Sequence, residues 1–510
     1  MPEIQLPQFP DTTFSITSFG AVGDGHTLNT EAFRKAIEAC SRSGGGKVEV
    51  PPGVWLTGPI ELKSYVNLHI SRGALVVFSP DHSNYPIIDP PKRGFTAASP
   101  VYGFNLENVA ITGEGVMDGS GDTWRPVKKY KTTANQWRDL VQSGGVVDQK
   151  TQIWWPSKEA MDGEQYLKEL HKRKKSSDLT PADFLPARDY LRPYMVLLIN
   201  CKKVLIDGPT IKNSPKFALY PNWCENVVIR NVKVNNEWWA QNGDGIDISS
   251  SRNVLIYRCT VTAGDDGICM KSSDDKTVKN PTLQNVVIRD CIVYHGHGGF
   301  VIGSNTDGGM KNIFVENCDF IGTDIGLRFK SARGRGSLVE NIFIKNIYMK
   351  DIVNEAILFN TYYENASQDS QSYPVTKFTP RFEKFYLDSI YCLNAKQAVL
   401  VRGLPEMPVK NISMRHIYIS AKKGFESEYV AGIQLKDVEI IPEGGPVFSF
   451  TESSDLTMED AKVPENTDTF IRVNGPNSKN ITVHCRGRSS ARIPIEYGDG
   501  ADKNSVTIEQ

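Results

Sequence analysis

Cysteine is scarce in this 510-residue chain: nine residues, an odd number, are too few for a disulfide scaffold and leave at least one thiol unpaired. They read as small buried apolar side chains. Net charge is scarce too. With 58 Lys and Arg against 59 Asp and Glu, the formal charge of -1 gives no global field to draw in nucleic acid or an anionic membrane. Any acidic ligand must be met by cations placed locally. No apolar run of about 18 residues occurs, so no membrane span is expected. The opening MPEIQLPQFPDTTF lacks the basic start and apolar stretch of a leader. As written the chain reads as soluble, with neither a nucleic-acid nor a membrane partner and expected as a monomer; a leader removed ahead of Met1 would make it secreted or periplasmic.

What is present is the composition of an ordinary folded protein, 40% hydrophobic and 23% charged, which excludes disorder, collagen and a coiled coil. At roughly 150 residues per domain the length suggests about three domains. Internal repeats point elsewhere. NVVIRNVKV from Asn226, NVLIYRCTV from Asn253, NVVIRDCIV from Asn285, NIFVENCDF from Asn312 and NIFIKNIYM from Asn341 recur every 27 to 32 residues. NISMRHIYI from Asn411 shares the pattern, and NVAITGEGV from Asn108, KVLIDGPTI from Lys203 and NITVHCRGR from Asn480 are less regular copies.

Each copy alternates apolar and polar residues over short runs broken by Gly, Asn and Asp, which is strand chemistry with turn punctuation. Helical spacing is nearly absent. A period too long for a hairpin and too short for a βαβ unit fits one turn of a parallel β-helix, whereas propeller blades usually need about 40 residues each. The recurrent Asn would sit at a corner, tolerating a left-handed backbone and bonding along a stack of its equivalents. We therefore expect an all-β chain, residues 1–510, forming a single right-handed parallel β-helix solenoid. A solenoid extends its core coil by coil, so size does not force a split. NTEAFRKAIEACSRSGGG predicts a capping helix over about 30–42, with Asn29 or Thr30 as N-cap, Phe33, Ala36, Ile37 and Cys40 on the buried face, and Gly44 as stop. The repeat register breaks over about 122–193, an insertion with a basic helical run and four Trp residues. It is either a decorated loop with a solvated helix or a wall of a binding groove.

From Asn242 the repeats acquire chemistry, over coils spanning about 242–363. Counting 12 residues from a corner Asn reaches Asp265 from Asn253, His297 from Asn285 and Asp324 from Asn312; Asp266 follows Asp265, and the preceding coil supplies Asp244. Equal offsets on coils stacked about 4.8 Å apart form a column. Arg328 and Lys330, two apart, point to one side of a strand. Singly, each motif has an ordinary reading: a solvated or calcium-binding turn, a structural His, a surface charge pair. Together, in register, they suit cleavage of a glycosidic bond. One carboxylic acid protonates the leaving oxygen and ionised carboxylates activate water, with crowding raising the pKa of the donor. Spacing does not choose between inversion and retention. The two cations suit an acidic sugar.

At these residues the chain resembles glycoside hydrolase family 28, the polygalacturonases and their relatives. The four ordered signatures stand here as Asn242-Gly243-Asp244, Asp265-Asp266, Gly296-His297-Gly298 and Arg328-Phe329-Lys330, and FGAVGDG, VPPGVWLTGPIEL and GLPEMPVKNI extend the likeness over roughly 14–485. The resemblance implies inverting hydrolysis of galacturonate chains, an acidic polysaccharide or oligogalacturonide, with no metal and no cofactor. It makes Asp265 the general acid and gives the water to Asp244 and Asp266. His297 would keep Asp265 in its donor state, Asn242 would orient the cluster, and Arg328 with Lys330 would hold a substrate carboxylate. Tyr362 or Tyr363 would supply an aromatic hydroxyl. Gly243 and Gly267 stand where fungal endo-acting members carry larger residues, and the cysteine pattern of those members is missing. An insertion obstructing the groove favours exo action. A calcium-dependent lyase, a non-catalytic β-helical binder and a rhamnogalacturonan hydrolase are the competing readings.

Overall fold

The computed structural model describes residues 4–363, 371–460, 462–464, 467–484 and 495–509. They group into two compact units, Pro2–Asp266 and Gly267–Gln510. Both are stacks of parallel strands whose coil-by-coil winding is that of a right-handed parallel β-helix.

In the first unit each coil contributes three short strands. Val196–Ile199, Lys202–Asp207 and Thr210–Lys212 make one coil. The next is Leu219–Asn222, Glu225–Arg230 and Lys233–Asn235. Val109, Val204, Val227 and Val254 lie in one parallel register column, all buried. Alternation thus sends every second side chain into the bore of the coil and its neighbours outward. In the second unit the strands lengthen into bent ribbons that carry most of a coil each: Leu338–Asn360, Arg381–Arg402 and Val409–Glu428. Ile313, Ile342, Phe385, Ile412 and Ile433 form the equivalent interior column.

The corners are where the repeat pattern becomes geometry. Asn226, Asn253, Asn285, Asn312, Asn341 and Asn411 all adopt φ between 55° and 58°. For an L-residue this left-handed state costs about 1–2 kcal/mol, least for Asn, whose short amide bonds locally. Asn312 Nδ2 donates to Asn285 Oδ1 at 3.1 Å, and Asn341 Nδ2 to Asn312 Oδ1 at 3.3 Å, so the amides form a ladder. Five residues on, a second left-handed corner recurs at Asn231, Arg258, Asp290, Asn317 and Asn346. Several coils carry the corner without Asn, with Lys203, Gly432 and Asp455 at φ 55°, 81° and 59°. Lys384, φ 61°, is the one among them that interrupts the Asn ladder between Asn341 and Asn411, with Phe385 paired to Ile342 on one side and Ile412 on the other. The strand Lys479–His484 belongs to the copy at Asn480, whose remaining residues 485–488 lie outside the described ones.

The helix Thr30–Arg42 buries Ala32, Phe33, Ala36, Ile37 and Cys40, as its spacing predicts. Asn29 holds the N-cap position but does not cap. Its amide accepts from Val22 N at 2.7 Å and donates to the carbonyls of Thr27 and Leu56, so it ties the preceding loop to the first coil instead. Thr30 likewise turns its hydroxyl outward to accept from Gly58 N. The eight described cysteines are all buried. Among the described residues no helix is long and apolar enough to cross a membrane.

The segment 122–193 is a small structured body rather than a loop. It holds the helices Ala134–Gln142 and Lys158–Arg173 and an antiparallel sheet of Val127–Lys128, Ile153–Trp155 and Val146–Asp148. Trp124, Leu170 and Phe184 pack with Tyr85, Ile87 and Ala97 in a separate apolar cluster. Two buried cations fasten it to the coils. Arg125 donates to Ser214 O and Asn213 Oδ1 and pairs with Glu237 at 2.9 Å; Lys131 Nζ donates to Gly264 O at 2.9 Å and Trp238 O at 3.3 Å.

The corner ladder predicts a ranked outcome. Asn312→Ala should lower the unfolding free energy by about 1–3 kcal/mol, through lost amide bonds and left-handed strain, and Asn312→Gly by less. Chemical unfolding checks it; equal losses would mean the strain contributes nothing.

Candidate active site

Asp244 sits in the turn that enters the strand Ile246–Ser249, and Asp265 and Asp266 sit where the next coil enters Asp266–Ser272. The backbone stacks them: Ala218 N donates to Asp244 O, Gly245 N to Asp266 O, and Gly264 N to Gly243 O at 3.1 Å. One carboxylate oxygen from each of Asp244, Asp265 and Asp266 lies within 4.8 Å of the others. Asp244 and Asp266 are 3% and 2% exposed, whereas Asp265 is half-buried. The cluster therefore has two enclosed carboxylates and one that meets solvent.

Glycine makes this proximity possible. A Cβ on Gly264 would stand 2.4 Å from Ala240 O, and one on Gly243 would stand 2.7 Å from Ala240 Cβ. The turn 237–240 presses against both acid-bearing turns, which accounts for Gly243 where larger residues are expected.

Asn242, φ 53°, leads into the turn, and its Oδ1 accepts from Arg192 Nη2 at 2.9 Å. Arg192 also donates to Gln241 O at 2.9 Å. It belongs to the end of the insertion, and burial together with the nearby Arg125 pulls its pKa down to about 10. Beside Asn242 opens a cavity of about 350 Å³, walled by Trp155, Tyr190 and Arg192 of the insertion and floored by Tyr194 and Lys216 of the coils. The insertion thus contributes both a solvated outer helix and a wall.

In the second unit, the strand Leu327–Lys330 turns Phe329 into the core, 4.5 Å from Phe359 between ring centroids, and sends Arg328 and Lys330 to the other face. Lys330 is 5% exposed. Tyr363 lies against both cations, its ring centroid 5.6 Å from the Arg328 guanidinium and 5.0 Å from Lys330 Nζ. Arg335 approaches the same ring at 5.8 Å. Tyr362 is elsewhere. It is buried, with Arg333 at 5.3 Å over its ring, and burial pushes its hydroxyl up to about 12. Of the two tyrosines offered by the sequence, Tyr363 is the one that keeps company with Arg328 and Lys330. His297 has Asp324 3.8 Å from its Nε2, and its carbonyl accepts from Arg328 Nη1 at 3.4 Å.

The structure so places the sequence-derived residues in two groups: Asn242, Asp244, Asp265 and Asp266 in the first unit, and His297, Arg328, Lys330 and Tyr363 in the second. Arg192, Lys216, Arg93 and Lys131 escaped the sequence reading. None belongs to a repeat motif, and their partners lie far off in the sequence, as Asn242 does for Arg192, Gly264 for Lys131 and Tyr194 for Arg93.

Residues 188–431 match the sequence profile of "Glycosyl hydrolases family 28". The structure superposes on that of a hyperthermoactive exopolygalacturonase from Thermotoga maritima with a TM-score of 0.67 and 31% identity, covering 82% of this chain and 89% of that one. A family 28 exopolygalacturonase from Yersinia enterocolitica shares the fold, with a TM-score of 0.65 at 22% identity over 89% of this chain and 79% of its own. An exo-poly-alpha-D-galacturonosidase from Dickeya chrysanthemi is 29% identical over 74% of this chain and 61% of its own length.

Lys131 joins the insertion to the carbonyl that immediately precedes Asp265. Lys131→Met should remove the bonds to the Gly264 and Trp238 carbonyls and destabilise by about 1–3 kcal/mol. Thermal unfolding measures it, and an unchanged midpoint would mean that the strut carries no load.

Proposed function

We propose that this chain, which belongs to glycosyl hydrolase family 28 and hydrolyses galacturonan, is an exo-acting galacturonidase that cuts α-1,4-galacturonosidic bonds at a chain end with inversion. The observation that carries the chemistry is the clustering of Asp244, Asp265 and Asp266 within 4.8 Å. Asp265, the one that meets solvent, donates its proton to the glycosidic oxygen as the C1–O bond breaks. Asp244 and Asp266, enclosed and adjacent, act together on one water, taking its proton as its oxygen bonds to C1. The departing hydroxyl carries the proton from Asp265, so charge and atoms balance.

The span of the three carboxylates is tighter than the roughly 6.5–9.5 Å typical of inverting pairs. Inversion is compatible with it because the base is a pair sharing a water, and only Asp265 needs to face the leaving group. By motif, His297 supports the donor state of Asp265, and Arg328, Lys330 and Tyr363 bind the carboxylate and ring of the sugar at the cleavage position. Asn242, held by Arg192, orients the acid-bearing turn. Exo action is supported by the walls that the insertion raises beside Asn242, which turn an open groove into a cavity. The exo-acting relatives support it as well.

One observation favours a second reading. Three clustered carboxylates are also a hard-cation ligand set, as a calcium-dependent lyase would need. Time-resolved product analysis on polygalacturonate separates the two. Hydrolysis gives saturated monomer from the first time point, undiminished by a chelator, and the first-formed monomer is the β anomer. A ladder of oligomers would overturn exo action, an α anomer would overturn inversion, and unsaturated ends lost on chelation would overturn hydrolysis itself.

Two substitutions test the roles. Asp265→Asn should reduce kcat by at least a thousandfold while leaving oligogalacturonide binding, measured calorimetrically, nearly intact, because it removes the transferable proton and little volume. Lys330→Ala should raise KM by at least about tenfold, in line with loss of a charge-assisted bond; a silent variant would remove Lys330 from substrate binding.

A further inference from the structure

His82 lies where several separate pieces of the chain meet. It opens a short helical turn, His82–Asn84, in the loop that follows the strand Ala74–Phe78. Its Nδ1 is 2.8 Å from Asp189 Oδ1 near the end of the insertion, and its Nε2 is 3.1 Å from Thr123 Oγ1 near the beginning. Ser157, which caps the helix Lys158–Arg173 in the middle of the insertion, donates to the other Asp189 oxygen at 2.6 Å. The imidazole is stacked on Trp124, with 3.5 Å between ring centroids and 18° between planes. One side chain of the early coils thus touches both ends of the insertion, and its carboxylate partner gathers in the middle.

The hydrogen bonds fix the charge of that ring. Thr123 has one hydroxyl proton, and it goes to Ser120 O at 2.7 Å. Thr123 Oγ1 can therefore only accept from His82, so Nε2 carries a proton. On the other side Nδ1 faces Asp189, and an ionised carboxylate only accepts. The bond from His82, opposed by burial and joined by the bond from Ser157, holds Asp189 below the usual carboxylate range, so Nδ1 carries a proton as well. Two donating nitrogens make an imidazolium. The surroundings suit it: Trp124 offers a π face to the cation, and the His82 and Asp189 side chains are only 14% and 23% exposed. The other charged groups of the adjoining segments are Asp81, Asp122 and Arg188, whose Nη1 donates to the His82 carbonyl at 2.9 Å. Lys158 and Glu159, beyond Ser157, are exposed, and Tyr85 presents its ring edge at 6.4 Å.

We propose that His82 is a positioning residue for hydrolysis: an imidazolium clasp that ties both ends of the insertion to the early coils and so sets where Arg192 holds the Asn242 turn. This rests on the hydrolase reading. Arg192 follows Asp189 by three residues and donates to Gln241 O and Asn242 Oδ1 at 2.9 Å each, and Asn242 leads directly to Asp244. A neutral imidazole has one proton to give, so its loss of the other breaks the contact with Thr123 or with Asp189, and the segment carrying Arg192 loses a fixed point. The clasp exists only while the ring keeps both protons, so its contribution is present in acid and fades as the pH rises. Asp189, held low, keeps its half of the contact until the pH falls below the ordinary carboxylate range.

The test compares the full wild-type chain with His82→Gln, Asp189→Asn and Thr123→Val, each confirmed folded by circular dichroism. Thermal midpoints are read at about pH 5.5 and about pH 9, on either side of the ordinary histidine value of about 6.5. His82→Gln should melt several degrees below wild type at the lower pH, and most of that gap should close at the higher one, because wild type itself then loses the clasp. Thr123→Val keeps the volume and removes only the acceptor, so it should show the same trend with a smaller gap. On polygalacturonate at about pH 5.5, His82→Gln and Asp189→Asn should each lose at least about fivefold in kcat, as a misplaced turn would, and the double variant should lose no more than either alone. A gap that stays constant or widens with pH, in both His82→Gln and Thr123→Val, overturns the imidazolium. Wild-type kcat in His82→Gln and Asp189→Asn overturns the positioning role. If wild type releases no reducing ends at all, the hydrolase reading falls by itself, and the midpoint gap still decides the clasp.

Discussion

The left-handed corner is the constraint on which the molecule is built. At each coil one residue must take φ near 57°, and in most coils that residue is Asn, whose amide reaches the next Asn along the stack. Because the corner fixes where one strand ends and the next begins, it fixes the register of everything downstream in that coil. A residue a set number of positions after the corner has one place in space. The interior columns of Val, Ile and Phe obey this rule, and so do the acid-bearing turns.

That rule explains what the amino-acid order reveals. The period of 27 to 32 residues and the alternation within each copy are enough to identify parallel β-coils, because both express the corner directly. The trio Asp244, Asp265 and Asp266 is legible for the same reason: two neighbouring coils place them at matching exits. The rule also explains what stays hidden. The coil at Lys384 lacks the Asn, so the pattern skips from Asn341 to Asn411, and only strand pairing restores it. Asn29 has the residue type of a helix cap but is claimed by backbone groups of the first coil. Tyr362 and Tyr363 are adjacent and chemically alike, and alternation assigns them to opposite environments that no motif distinguishes.

The insertion is illegible for a deeper reason. Its residues obey no repeat, so their partners cannot be inferred from offsets. Arg125, Lys131 and Arg192 look like ordinary surface charges in the sequence, yet each ends on a carbonyl or amide of a coil. The near-neutral total charge likewise conceals separation: three carboxylates gather in one turn pair and three cations gather in the cavity beside Asn242. Function in this chain is carried by where the charges are sorted, which neither composition nor motif reports.

The Lys131 strut has a consequence for redesign. Widening the cavity by trimming 122–193 looks like a simple edit of a peripheral loop, but the trimmed segment would take with it the ammonium that braces the carbonyl before Asp265. The insertion wall and the acid-bearing turn share a fastener. Any redesign that exchanges this segment must first supply another brace for that turn, so the two are altered together.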